Sequence, residues 1–490
     1  MNKNIIMMSD SYKYSHFKQY PNDMIGMFDY AEARTKGKST VFVGLQYILK
    51  EYFTKTITKE MVDEANMYAK IHGIPFNYDG WFYIATFLGG KLPIRIRAVP
   101  EGKNIPNGNV LFTIESTDTK VPWVVSWAET MLMRCWYPSN VATISKEIKD
   151  VLMKYAEASQ DEPNVDLSLH NFGARGSSSE ETSQIGGFAH LTQFNGTDNF
   201  SAIKFVHDYY AGNVKDFGAI GISIPASEHS TVTGWKKENE FNMVLNYLDN
   251  EKGSFIIACV ADSYDYENFV NEVTSDIRFT SKINSDEFPI FVIRPDSGDP
   301  VEMIEKTLDI MESNGVPFKA NNKGFRVFNK YRIIWGDGIN IEAITKMLNL
   351  LVSRGYSTEN IAFGMGGALM QGNESTSNNR DTNGWAIKCS NITLAHEISS
   401  NDDPDNEWNQ KIIEEREVFK DPITAPNKKS KKGKITTYYS EEKDLYFVDE
   451  IGIDFSERYS DAVDILEAVF ENGEMKKEYS MDEVRQNARN

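Results

Sequence analysis

Seven short apolar runs are each followed, at the first positions of a turn, by residues that can do chemistry. VDLSLH leads into NFGARG with Arg175, HLTQF into NGTD with Asp198, GISI into PASEHS with His229, and SFIIACV into ADSYD with Asp262. FPIFVI then leads into RPDSG with Arg294 and Asp296, YRIIW into GDG with Asp337, and NIAF into GMGG with Gly366 and Gly367. Spare carboxylates, guanidinium forks and a Gly-Gly turn suit a substrate with several phosphates. Backbone amides and arginines would hold the oxygens while Mg²⁺ shares the charge. His229 is a further titratable group in this set, although alone it would read as a surface histidine at a helix start with Ser227 as N-cap. Other phosphate and metal chemistries lack their signatures. There is no GxxxxGK[ST], no GxGxxG opening a helix, and no HExxH.

The elements that must position these residues follow from the runs. With WAIKCSNIT as an eighth, they recur at roughly 25 to 40 residues, most with a helical pattern after the turn, as expected of parallel strands joined by helices. A closed or nearly closed α/β barrel is the economical reading, with an open doubly wound sheet as the alternative. In either, the carboxyl ends of the strands converge on one face, where an active site is expected. The expected organisation is a mixed α+β domain over residues 1–150, the barrel with the active site over 151–400, and a C-terminal segment over 401–490 packing back on the first domain. Within that last segment, NDDPDNEWNQKIIEERE (401–417) reads as an acidic insertion forming a mobile loop. PNKKSKKGK (426–434) is the one dense basic run, either solvated or phosphate-facing. The final stretch reads as a hairpin and a short helix, with Ser480 and Glu483 at capping-box spacing.

The chain has 490 residues, with 52 Lys+Arg against 71 Asp+Glu and a formal charge of −19, which argues against non-specific binding to nucleic acid or an anionic membrane. Three cysteines without CxxC spacing support neither a disulfide framework nor a zinc site. The apolar stretch at the N-terminus is too short for a secretory signal, and no run of 18 apolar residues occurs, so a cytoplasmic location is expected.

DSYKYSHFKQYP, VFVGLQYIL, AVPEG, LHNFGARG, PASEHST, DSYD, IRPDSG, GDG, IAFGMGG, KCS, FKDP and PNKKSKKGK, in this order, resemble the nicotinamide phosphoribosyltransferase family over essentially the whole chain. The resemblance implies a type II phosphoribosyltransferase fold: an α/β barrel beside a mixed domain built from the N-terminal region and the tail. It implies a head-to-tail homodimer with shared sites. It also implies transfer of phosphoribosyl from phosphoribosyl pyrophosphate to nicotinamide, giving nicotinamide mononucleotide and pyrophosphate, with ATP coupled through a phosphohistidine.

Carried onto matching positions, the phosphorylated histidine is His229, with Asp262 orienting it. Phe172 and Tyr12, the latter from the other subunit, would sandwich the pyridine ring, and Asp198 would hold its carboxamide. Arg175 and Arg294 match ligand-binding arginines; Asp296 and Asp337 would meet the ribose and the Mg²⁺-pyrophosphate, with Mg²⁺ near Asp262 and Asp296. Gly366 and Gly367 match backbone phosphate contacts, and Arg380 a product-phosphate arginine. Arg34, Lys420 and Lys428 are similar to a clamp on pyrophosphate and nucleotide supplied across the dimer. Nicotinate phosphoribosyl transfer, or a nucleotide-binding barrel without turnover, are the competing readings.

Overall fold

Parallel strands account for most of the apolar runs. Leu169–Asn171, Gly196–Thr197, Ile256–Val260, Ile290–Arg294, Tyr331–Trp335 and Ile361–Met365 form one six-stranded sheet. The order across it is Gly196–Thr197, Leu169–Asn171, Ile361–Met365, Tyr331–Trp335, Ile290–Arg294, Ile256–Val260, with every neighbouring pair parallel. The two edges are joined through the segment 220–226: Ile222 bridges Gly196 and Ala226 bridges Ala258. The ring of hydrogen-bonded backbone is thereby closed, and the architecture is an α/β barrel. Ala258, Val292 and Ile334, in equivalent phase on three strands, pack together with Phe172, Ile224 and Ala362 against them. Ile257, Cys259, Phe291, Ile293 and Ile333, in the opposite phase, are also fully buried. Burial on both faces is why these strands read as continuous apolar runs rather than alternating ones.

This computed structural model describes residues 3–210, 220–373, 378–397, 411–424, 429–455 and 458–489. The chain separates into one unit of Met1–Asn140, Asp208–Gly212 and Asn379–Asn490, and a second, the barrel, of Val141–His207 and Asn213–Asn378.

The first unit is built on a seven-stranded antiparallel sheet. Its order is Lys411–Glu417, Ala386–Glu397, Met24–Glu32, Val110–Ser116, Ile94–Ala98, Glu467–Glu471, Glu474–Met475, so N-terminal and C-terminal strands interleave. Under it lies an aromatic cluster in which Trp81 stands edge-on to Trp123 and Trp127 at centroid distances of 5.1 and 4.8 Å. Such geometry aligns ring edges with faces. The tail ends in a hairpin and the helix Met481–Arg489, where Glu483 accepts from the Ser480 N–H at 2.7 Å and Ser480 Oγ accepts from the Glu483 N–H at 3.3 Å. That is the reciprocal capping box.

Four expectations are corrected. WAIKCSNIT is not a barrel stave. Its residues 386–393 lie in the strand Ala386–Glu397, which pairs antiparallel with Met24–Glu32 in the sheet of the first unit. HLTQF is the last two residues of the helix Glu180–Leu191 and the buried segment after it, and the stave comes later, at Gly196–Thr197. GISI contributes one isolated bridge, Ile222 to Gly196, rather than a strand. Of the acidic stretch 401–417, residues 401–410 lie outside the described residues, but Lys411–Glu417 is a strand paired along its length with Ala386–Glu397. Among the described residues, no helix is long and apolar enough to cross a membrane.

Candidate active site

At the carboxyl ends of three staves the helix that follows is capped by a residue three positions beyond the candidate acid. Asp265 accepts from the Asn268 N–H, Asp299 from the Val301 and Glu302 N–H groups, and Asn340 from the Ala343 N–H, each at 2.9–3.0 Å. The orphan amides of these helices are thus satisfied without Asp262, Asp296 or Asp337. Those three are left in the turns.

His229 occupies the first position of the one-turn helix His229–Thr233, and the N-cap is Glu228, not Ser227. The Thr231 hydroxyl accepts from the Glu228 N–H at 3.3 Å, and the Ser230 hydroxyl donates to the Glu228 carboxylate. Ser227 is buried; its Oγ accepts from the Val260 N–H at 2.8 Å, tying the turn to the neighbouring stave. His229 is about half exposed while Asp262 is only 8% exposed, and His229 Nε2 lies 3.1 Å from Asp262 Oδ1. The other Asp262 oxygen accepts from the Ser297 hydroxyl. With both oxygens engaged, Asp262 fixes the imidazole and leaves Nδ1 as the ring nitrogen it does not hold.

Phe172 has a seat made of missing side chains. A Cβ on Gly364 would come within 1.9 Å of the ring, and one on Gly336 within 3.3 Å of the ring and 3.8 Å of Asp296 Oδ1. The Phe172 N–H donates to the Met365 carbonyl at 2.9 Å, so the ring is held over Gly364 of the adjacent stave and reaches Gly336, just beyond the next one. The next turn is as closely packed: a Cβ on Gly173 would meet the Gly366 carbonyl at 2.8 Å, and one on Gly176 would meet the Gly367 Cα at 3.0 Å. This puts the turn carrying the exposed Arg175 against the Gly366–Gly367 turn. Arg294 is mostly buried, its Nη2 3.7 Å from Asp296 Oδ2, and its Nε finds no acceptor among the described residues. Asp337 is exposed and its carbonyl accepts from the Trp335 indole. Asp198 is exposed; its N–H donates to the Asn171 carbonyl and its Oδ1 accepts from Ser223 Oγ at 2.7 Å. Behind it His170 is buried, and burial, only partly opposed by the nearby Asp198, holds its pKa below the ordinary value.

The barrel unit therefore gathers Phe172, Arg175, Asp198, His229, Asp262, Arg294, Asp296, Asp337, Gly366 and Gly367 at its carboxyl rim. Tyr12, Arg34, Arg380 and Lys420 belong to the other unit. There Tyr12 is 58% exposed on the 3-10 helix Ser11–Lys18. Arg34 donates to the Gly384 carbonyl at 3.2 Å, on the turn that carries Arg380, and Arg380 pairs with Asp381. Lys420 is exposed, and its N–H donates to Ser430 Oγ at 2.8 Å. Lys428 lies outside the described residues. The rest of the basic run is self-neutralised: Lys429, Lys431, Lys432 and Lys434 pair with Asp421, Glu32, Glu417 and Glu415.

Sequence reasoning passed over Ser223, Ser297, His170, Gly336 and Gly364. All lie within runs or motifs already singled out, but their roles depend on which stave stands beside which. No group of three or more metal-ligating side chains is assembled among the described residues. A Mg²⁺ carried on substrate phosphates would need only one or two protein carboxylates. Asp296 is the better placed, since both Asp262 oxygens are already hydrogen-bonded.

Comparison with known proteins gives two family matches. Residues 167–404 match the nicotinate phosphoribosyltransferase (NAPRTase) family, and residues 4–96 the nicotinamide phosphoribosyltransferase N-terminal domain. The chain is 40% identical to the nicotinamide phosphoribosyltransferase of Xanthomonas campestris pv. campestris (strain 8004) over 99% of its own length and 98% of the relative's. It is 30% identical to that of Acinetobacter baylyi over 81% of its own length and 76% of the relative's. Its fold is similar to a nicotinate-nucleotide pyrophosphorylase from Pyrococcus furiosus, with TM-score 0.61, 13% identity and coverage of 99% and 94% of the two chains. It is also similar to human nicotinic acid phosphoribosyltransferase, with TM-score 0.53, 11% identity and coverage of 99% and 93%.

Proposed function

The chain belongs to the nicotinamide phosphoribosyltransferase family, and from that premise we propose that its barrel rim joins nicotinamide to phosphoribosyl pyrophosphate, giving nicotinamide mononucleotide and pyrophosphate. The observation that carries this reading is the seat of Phe172, an aromatic face held on Gly336 and Gly364 with the Asp296 carboxylate beside it. Nicotinamide is flat and neutral, so a ring face contributes stacking and Asp198 accepts from the amide N–H. Nicotinate would set its carboxylate against that of Asp198. Tyr12 of a second subunit closes the other face of the pyridine in a homodimer with shared sites.

In the reaction the pyridine nitrogen forms a bond to C1 of the ribose while the bond from C1 to pyrophosphate breaks, and the pyrophosphate leaves with the electron pair. Positive charge develops on the ribose, and Asp296 and Asp337 stabilise it. Arg294, Arg175 and the backbone N–H groups of Gly366 and Gly367 take the phosphate oxygens. Arg34, Arg380, Lys420 and Lys428 act on the pyrophosphate and the nucleotide. Asp296 would hold a Mg²⁺ brought in on the pyrophosphate, and the ion would supply charge neutralisation to the leaving group. ATP couples to turnover through phosphorylation of His229, which Asp262 orients.

The test is a product assay on purified protein with phosphoribosyl pyrophosphate and Mg²⁺, offering nicotinamide or nicotinate, with and without ATP. Nicotinamide mononucleotide is the expected product, with a rate raised by ATP. Turnover of nicotinate alone would refute the assignment of the base.

A further inference from the structure

We infer that Ser223 is a positioning residue for base selection: it occupies one oxygen of Asp198 and leaves the other to read the substrate amide. The inference rests on the reading of Asp198 given above. Ser223 lies on the segment 220–226 that closes the barrel, next to Ile222, which bridges the backbone of Gly196. The Thr197 N–H donates to the Ile222 carbonyl at 2.9 Å, and the Ile222 N–H to the Asn195 carbonyl at 2.7 Å. Two backbone hydrogen bonds thus hold the segment in register beside Asp198. The Ser223 hydroxyl donates to Asp198 Oδ1 at 2.7 Å, within the range of a charge-assisted hydrogen bond.

A carboxylate on a turn is free to rotate about its terminal torsion, which is broad and roughly two-fold. One donor of fixed origin removes that freedom and aims the second oxygen. The backbone of Asp198 is fixed independently, by donation to the Asn171 carbonyl at 3.0 Å. Among the described residues no basic side chain pairs with Asp198, so its negative charge is left to meet the base. A neutral amide donates to the free oxygen; a carboxylate substrate has no proton to offer and meets the charge. Discrimination of amide from acid therefore depends on both the charge of Asp198 and the direction in which Ser223 holds it.

The experiment compares Ser223→Ala, Ser223→Thr, Asp198→Asn and the Ser223→Ala/Asp198→Asn double variant in the full-length protein, measuring kcat and KM for nicotinamide and for nicotinate. Loss of a hydrogen bond to a charged group should raise the KM for nicotinamide about tenfold in Ser223→Ala, with a much smaller change in kcat, while Ser223→Thr restores it. The double variant should be no worse than Asp198→Asn alone, because serine acts through the aspartate. If Ser223→Ala leaves KM unchanged while Asp198→Asn raises it, the inference about Ser223 is overturned and the role of Asp198 stands. If Asp198→Asn itself leaves KM unchanged, the reading of the base site falls, and the inference with it. Additive effects in the double variant would equally refute positioning.

Discussion

The two ends of the barrel hold ionisable side chains of the same kinds in opposite states of completion. At the amino end of the staves, Glu312 in the last turn of the helix Pro300–Ser313 is saturated. It lies 3.0 Å from Arg326 Nη1 and 2.8 Å from Arg354 Nη2, and it accepts from the Tyr356 hydroxyl at 2.7 Å. Arg354 also pairs with Asp309 at 2.6 Å, and the Arg326 guanidinium lies 3.9 Å over the Tyr356 ring. Both Glu312 oxygens are thus taken up by partners of the same network. At the carboxyl end, Asp198 has a single hydroxyl donor, Arg294 and Asp296 stand 3.7 Å apart, and the Arg294 Nε has no acceptor among the described residues. A barrel built only for stability would complete both ends. The incomplete end is therefore the one with valence reserved for a substrate, in keeping with the usual division of labour in such barrels.

The largest test of this contrast is Gly364→Ala. The added Cβ would lie 1.9 Å from the present position of the Phe172 ring, so the ring must leave its seat. Displacement of a positioning group by about 1 Å can cost ~100-fold, and kcat/KM for nicotinamide is expected to fall by about that factor. Overpacking costs only about 1–3 kcal/mol of stability, so folded protein should persist, as checked by thermal melting. A kcat/KM within a few fold of the parent would break the claim that Phe172 is part of the site. His229→Ala should act more narrowly, removing the whole ATP-dependent increment in rate while nicotinamide still binds by calorimetry. ATP stimulation that survives the substitution would refute the phosphohistidine.

The open end was the more legible in the sequence, for a physical reason. A stave buried on both faces is a continuous apolar run, and the first residues after it stand out against it, as Asp262 after IIACV and Asp337 after YRIIW do. The caps Asp265, Asp299 and Asn340 are equally local features, each just before its own helix. Partner choice between strands is not local. WAIKCSNIT has the composition of a stave, yet its partner is Met24–Glu32, and nothing near it in the chain records that pairing. The seat of Phe172 was hidden in the same way. GDG and FGMGG read as turns and phosphate contacts, because only the register of Gly364 beside His170 in parallel strands shows that glycine makes room for an aromatic ring. Ser223 needed the closing bridge from Ile222 to Gly196 before it could be placed beside Asp198.

At the completed end the expected effects are smaller and fall on stability rather than rate. Glu312→Gln keeps the shape but removes the charge shared by Arg326 and Arg354, and should lower stability by about 1–2 kcal/mol in urea unfolding, with kcat/KM unchanged. A fall in kcat/KM without loss of stability would show that this end also serves the reaction.

The finest test is the pH dependence of that difference. Burial acts to raise the pKa of Glu312, but the Tyr356 hydrogen bond and the charges of Arg354 and Arg326 outweigh it and hold the carboxyl below its ordinary range. A carboxyl depressed in the folded state stabilises fully above its unfolded value of about 4.3, and the contribution is lost as pH falls through the folded value. The stability gap between the parent and Glu312→Gln should therefore be constant near neutrality and shrink only in acid below about pH 4. If the gap instead closed on raising the pH from 5 to 8, the network would not be acting through the ionised carboxylate. The contrast between a saturated and an open end of the barrel would then lose its electrostatic basis.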